Sequence, residues 1–303
     1  MPADLAAPLT MADVDLEQLK ADIVEVGRRL YRRGFVASND GNITIRFADD
    51  RLLTTPKSVS KGFMTPGMMV VVDLDGRKVA GSLDASSELK MHLEVYRQRA
   101  DVRAVVHAHP ALATGFAVAG IPLDRAVLAE VICTLGSIPI AEYATPSTEE
   151  LPHAVRRYIK AHDGLLLANH GALTVGSDVY AAYYKMETIE HFAKISLTAR
   201  LLGGERLISQ EEVLRLQSLR GLYGIASPAD ICLDQDTAAA GEPGEATCQV
   251  VRSPESPGAR LVADPASGVA FAPRERTAGD DQEIRLTYRE LAALIEEAVQ
   301  RLR

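Results

Sequence analysis

Apolar residues recur at three- and four-residue steps in Leu16, Leu19, Ile23, Val26 and Leu30, which predicts an amphipathic helix with Gly34 at its C-terminal cap. The period then shortens. Asn42 to Phe47, Arg51 to Thr54 and Met69 to Val72 read as short strands, with turn signals at Asp49-Asp50 and Asp75-Gly76. Ser86 or Ser87 is placed to cap a helix running to about Arg99. The apolar, β-branched run from Arg103 to Pro110 predicts a buried strand, and a helix is expected from Pro110, which suits a first helical turn. A strand near Ile138 to Ile140 leads to Ser147 and Glu150, whose spacing is that of a capping box. A second apolar run, Leu165 to His170, precedes a return strand over Ala172 to Val175. Ser177 is expected to open a long helix to about Leu202, and Ser209 with Glu212 a further one ending near Gly221. Helices and strands intermix without regular alternation, so an α/β fold with a mixed or antiparallel sheet covered by helices is expected.

From about Asp230 to Gln282 the texture changes. Ala238 to Gly244 and Ser253 to Gly258 are rich in Ala, Gly, Pro and Ser and read as linker, although Val250-Val251 and Val269 to Phe271 have the character of short strands. Periodicity returns at Ile284, Tyr288, Leu291, Leu294, Ile295, Ala298, Val299 and Leu302, one apolar face of a C-terminal helix. The organisation expected is a main domain over 1–229, a linker-like segment over 230–280 and an amphipathic helix over 281–303.

The histidine run carries the chemistry. Side chains two apart on a strand share a face, so His107 and His109 point to one place, where neutral imidazoles can ligate Zn²⁺. His170 ends a second apolar run before Gly171, and Ser86-Ser87-Glu88 adds a carboxylate beside two hydroxyls. Three histidines and one carboxylate describe a catalytic rather than a closed structural zinc site. His92, His153, His162 and His191 fall on predicted helices and read as surface or packing residues. Around the metal candidates, the turns Asn39 to Asn42 and Thr55 to Ser58 and the helix start at Ser86-Ser87 offer small polar side chains, backbone N–H groups and Lys57, which together suit a phosphate.

Bulk properties narrow the partners. A net charge of −8 argues against a nucleic-acid groove or an anionic membrane as the main partner. No apolar stretch approaches the roughly 20 residues that cross a bilayer. The N-terminus lacks the basic and apolar regions of a secretory signal. Cys133, Cys232 and Cys248 are few and widely spaced, which suggests buried or inert thiols, no disulfide and a cytoplasmic setting.

Gly41-Asn42, Thr55-Pro56, Ser86-Ser87-Glu88, His107-Ala108-His109, Tyr143-Ala144-Thr145 and Asn169-His170-Gly171 occur in an order that resembles the class II aldolase/adducin family, over about residues 15 to 225. Within it the chain is most similar to the L-fuculose-1-phosphate aldolases. The resemblance implies a three-layer fold, a mainly antiparallel central sheet flanked by helices, in a cyclic homotetramer. It implies one Zn²⁺ per subunit on His107, His109 and His170, with Glu88 a metal ligand in the free enzyme and the proton-transfer base with substrate bound. It implies a phosphate cradle of Asn42, Lys57, Ser58, Ser86 and Ser87, and Tyr223 as the residue acting on the aldehyde end. The activity implied is cleavage of a deoxyketose 1-phosphate to dihydroxyacetone phosphate and lactaldehyde, as in fucose or rhamnose degradation. Glutamate at 88 favours an aldolase over the family's epimerases, which carry aspartate there; an epimerase, a dehydratase and a non-catalytic adducin-like scaffold are the alternatives.

Three features depart from the family pattern. Lys57-Ser58 replaces the usual Thr-Gly, the segment Leu123 to Leu128 lacks the tyrosine that the aldolases place there, and the chain continues beyond Asp230. The last of these, a polar linker ending in a short amphipathic helix, resembles the encapsulation peptides that dock enzymes onto shell proteins of bacterial microcompartments. Such a helix is marginal alone and gains from burying its stripe against a partner or against its own domain.

Overall fold

The computed structural model describes residues 15–222, 225–226, 228–232, 245–254 and 260–261. The elements run α1 (Leu16–Arg32), β1 (Asn42–Ala48), β2 (Arg51–Thr54), β3 (Val70–Asp73), β4 (Lys78–Ala80), α2 (Leu89–Gln98), β5 (Ala104–Ala108), α3 (Ala111–Val118) and α4 (Ala129–Thr134). They continue with β6 (Ile140–Ala141), α5 (Glu150–Ile159), β7 (Gly164–Leu167), β8 (Gly171–Gly176), α6 (Val179–Leu201), β9 (Glu205–Arg206), α7 (Gln210–Leu219) and β10 (Arg260–Leu261). Eight strands form one sheet in the order β4-β3-β2-β1-β5-β8-β7-β6, antiparallel throughout except between β6 and β7. This fits the mixed or antiparallel sheet that the intermixed elements predicted and the mainly antiparallel one that the family resemblance implied.

Side-chain alternation along the strands splits the core in two. Ile43, Ile45 and Phe47 of β1 and Ala104 and Val106 of β5 join α1, α3 and α6 in one cluster. Val105 of β5, Leu52 of β2 and Leu173 and Val175 of β8 join α2 and α5 in the other. Helices therefore cover both faces of the sheet. Strand β1 is unusual in that all seven residues are buried although Asn42, Thr44 and Arg46 alternate with apolar ones. In an antiparallel sheet such a pattern more often leaves the polar face in water; here α2 covers it.

Helix starts differ from expectation in three places. The N-cap of α2 is Glu88, not Ser86 or Ser87, with no side-chain capping bond; the Ser86 hydroxyl accepts the Glu88 N–H at 3.3 Å instead. The capping box at α5 is displaced from Ser147. Thr148 Oγ1 accepts the Glu150 N–H at 3.2 Å, and the Glu150 carboxylate reaches back to the Thr145 N–H at 3.1 Å. Asp178 rather than Ser177 caps α6, accepting the Ala181 N–H at 2.8 Å. In each case neighbouring hydroxyls and carboxylates compete for the same free N–H groups. Ser209 caps α7 as expected.

The expectation of three unpaired thiols is wrong. Cys232 and Cys248 form a disulfide, with Cα atoms 5.3 Å apart, and only Cys133 is free. The chain doubles back between them: Cys232 N–H donates to Gln249 O at 2.9 Å and Gln249 N–H to Asp230 O at 2.8 Å. A spacing of 16 residues gives no sequence signal for that return. The described part of the linker-like stretch is packed. Arg252 pairs along residues 124–126, through Arg252 N–H to Asp124 O at 2.7 Å and Ala126 N–H to Arg252 O at 3.0 Å. Val251 and Ile231 are buried with Ala126, Ile132 and Val213 in a third small cluster. Tail residues thus pair with the segment that lacks the family tyrosine. The C-terminal helix expected over 281–303 lies outside the described residues.

Candidate metal centre and active site

The centre is assembled at one end of β1, β5 and β8. Asn42 on β1 and His107 on β5 are register partners, and Leu173 on β8 flanks His107 on its other side. His109 lies just past β5, its N–H held by Phe35 O at 2.9 Å. His170 sits in the tight β7–β8 turn, after Asn169 with a φ of 54°. Two glycines make the approach possible. A Cβ at Gly171 would meet Ala108 O and His109 Cδ2, each at 2.6 Å; one at Gly41, whose φ is 74°, would meet His107 O at 2.8 Å.

The three imidazoles converge. Ring centroids are 4.8 to 5.0 Å apart, and one ligand nitrogen from each ring lies within 4.8 Å of the others. His107 is fully buried, and its Nδ1–H donates to Ala172 O at 2.9 Å, which leaves Nε2 as a lone pair facing inward. His109 Nε2 is 3.1 Å from His107 Nε2, and its Nδ1 is 3.4 Å from Asp40 Oδ2. Glu88 closes the group, Oε2 3.4 Å from His107 Nε2 and Oε1 3.0 Å from His170 Nε2. Asn42 Nδ2 donates to the same carboxylate at 2.8 Å.

The electrostatics suit a cation. Burial pushes His109 down to about 3, reinforced by His107 and His170, so its ring is neutral at pH 7 and available as a ligand. Burial alone would raise the Glu88 carboxyl, but His107 and His170 more than reverse this and hold it well below the usual carboxylate range. Four nitrogen and oxygen donors at one point, with a backbone carbonyl orienting His107 and a carboxylate beside His109, fit a divalent metal ion.

Beside the cluster lies a cavity of about 280 Å³. Asn42, Lys57, Ser58, Ser86 and Ser87 all line it, as do Glu88, His109 and His170. Ser58, which replaces the family's glycine, has a φ of 59° and so keeps the left-handed backbone that glycine favours. Tyr223 lies outside the described residues. Sequence reasoning missed two contributors. Asp40 reads in the sequence only as part of a turn, and Lys61 carries no signal there. Lys61 lines the cavity, is 1% exposed, and donates from Nζ to Asn39 O at 2.9 Å and Val59 O at 2.8 Å. Burial lowers it to about 8, opposed by Asp40 and Glu88. No pattern marks it, because it sits in an irregular loop.

Known proteins resemble this chain in sequence and in fold. Residues 21–197, more than half of the chain, match the Class II Aldolase and Adducin N-terminal domain. An L-fuculose phosphate aldolase of Methanococcus maripaludis is 33% identical over 58% of this chain and 94% of its own length. A 3-oxo-tetronate 4-phosphate decarboxylase of Pectobacterium atrosepticum is 28% identical over 61% of this chain and 87% of its own. The solved structure of an L-fuculose 1-phosphate aldolase superposes with a TM-score of 0.61 at 28% identity, covering 66% of this chain and 95% of that one. The extent of the domain match and the aldolases among the relatives make the chain a member of the class II aldolase and adducin family, and a lyase.

Proposed function

We propose that the protein is a zinc-dependent aldolase that cleaves a deoxyketose 1-phosphate of the L-fuculose 1-phosphate type to dihydroxyacetone phosphate and lactaldehyde. The observation that carries this reading is the convergence of Glu88 with His107, His109 and His170 beside a polar cavity. His107, His109 and His170 would hold the cation, with Glu88 joining them before substrate binds. A divalent cation bound there supplies Lewis-acid stabilisation of negative charge building on substrate oxygen as the carbon–carbon bond breaks.

The chain's own groups do the rest. Ser86, Ser87, Ser58 and Asn42 offer neutral donors and Lys57 a cation to the phosphate, which fixes the ketose in the cavity. Glu88, ionised at neutral pH, is the group placed to carry a proton to and from the carbon next to the carbonyl. Tyr223 is assigned to the aldehyde end from its sequence motif alone. The decarboxylase among the relatives supports a second reading on the same site: breaking a carbon–carbon bond next to a carbonyl with carbon dioxide, rather than an aldehyde, as the leaving group.

The protein loaded with zinc and given a panel of ketose phosphates is expected to release triose phosphate; release of carbon dioxide from oxo-acid phosphates instead would favour the second reading. His109→Ala should lose zinc and cleavage together, and cleavage that persists in metal-free protein rejects the mechanism. As partners we propose a homotetramer of this chain and, through residues 281–303, a microcompartment shell protein.

A further inference from the structure

The polar face of β1 continues beneath the active site. Asn42, Thr44 and Arg46 lie opposite α2, along which Glu88, His92 and Tyr96 recur at four-residue steps. Two residues of strand advance about 6.7 Å and four of helix about 6.0 Å, so the two rows stay in step for three rungs. Asn42 Nδ2 donates to Glu88 Oε2 at 2.8 Å. Thr44 Oγ1 is 2.8 Å from both His92 Nδ1 and Tyr96 OH. Arg46 Nη2 donates to Tyr96 O, and its guanidinium lies 4.7 Å from the centre of the Tyr96 ring.

Thr44, His92 and Tyr96 are buried, His92 completely. Burial and the neighbouring His107 lower His92 to about 3, so it is a neutral ring at physiological pH. Passing the hydroxyl protons in one direction, from Tyr96 to Thr44 and from Thr44 to His92 Nδ1, leaves the His92 proton on Nε2. That nitrogen has no hydrogen-bond partner in the protein. An apolar row would hold α2 on the sheet with less desolvation. What polar rungs add is a single axial position and a single roll of the helix.

We propose that Thr44 and His92 are positioning residues for Glu88: the ladder fixes how far along, and how rolled, α2 sits on the sheet, and so where the carboxylate at its N-cap meets the substrate. The inference rests on the reading of Glu88 as the proton-transferring group.

Thr44→Val and His92→Leu in the full, zinc-loaded chain should lower kcat about 10- to 100-fold, with KM and zinc content within about twofold of wild type. Thr44→Ser and His92→Asn, which keep a polar atom at the shared rung, should recover most of the rate. An unchanged kcat, a loss that merely follows zinc content, or serine and asparagine variants as impaired as valine and leucine would each overturn the proposal. Should His92→Leu fail to fold, the Thr44 pair decides alone. If the wild-type protein cleaves no ketose phosphate, the functional reading fails by itself; the ladder is then judged by crystal structures of the variants. Displacement of the Glu88 carboxylate by more than about 0.5 Å supports it, and an unmoved carboxylate overturns it.

Discussion

Lys61 carries its ammonium to a place where almost no water reaches, and two of its three donors hold the Asn39 and Val59 carbonyls. It thereby ties the loop before β1 to the loop that bears Lys57 and Ser58. Lys61→Met keeps the length of the stem and removes the tie, so KM for a phosphorylated substrate should rise about tenfold with a smaller change in kcat. Sign and window follow from its lowered value: the ammonium is charged below about 8 and neutral above it. In the wild type KM should therefore rise as pH climbs through that value, and steady-state kinetics of the methionine variant should lack this limb. Residues of the site differed in how legible they were. His107 and His109 declare themselves through a two-residue spacing inside an apolar run, and Glu88 through the hydroxyls before it. Asp40 and Lys61 act through tertiary contacts from loops, where no period singles them out.

At the scale of elements, the first helix, β1, β2 and α7 could be read closely from periodicity and caps, because each has a long enough stripe or an unambiguous cap. Helix α4, six residues over Ala129–Thr134, escaped because it is too short to show a period. The alternation in β1 was legible as a strand but silent about which face meets water. Helices α2 and α5 are braced by a contact equally invisible in sequence. Arg156 on α5 grips Glu94 on α2 through Nε at 2.5 Å and Nη2 at 3.1 Å, and Glu94 is 1% exposed. Arg156→Ala leaves that carboxylate with Gln98 and a distant Arg97. Chemical denaturation should show a loss of about 1 kcal/mol, the low end for a charged hydrogen bond because Arg156 is partly exposed to screening solvent. A loss below a few tenths would mean that water replaces the arginine.

Across the whole molecule, the described surface has an apolar side. Leu197, Leu201 and Leu202, at and just past the C-terminal end of α6, are 37%, 79% and 76% exposed. Association of copies through this side fits the proposed tetramer, and Leu201→Glu should lower the mass measured by light scattering. Removing residues 281–303 should leave solution activity and that mass unchanged while abolishing co-localisation with shell protein. Loss of the assembly instead would place the segment on the protein's own surface.

The bond between Cys232 and Cys248 closes a ring in the covalent chain, and the second cysteine is followed at once by residues seated on the main body. A single protease cut anywhere between them would therefore go unnoticed on a non-reducing gel. The same sample treated with thiol should separate into two fragments, and the shorter one would carry the whole C-terminal end of the polypeptide.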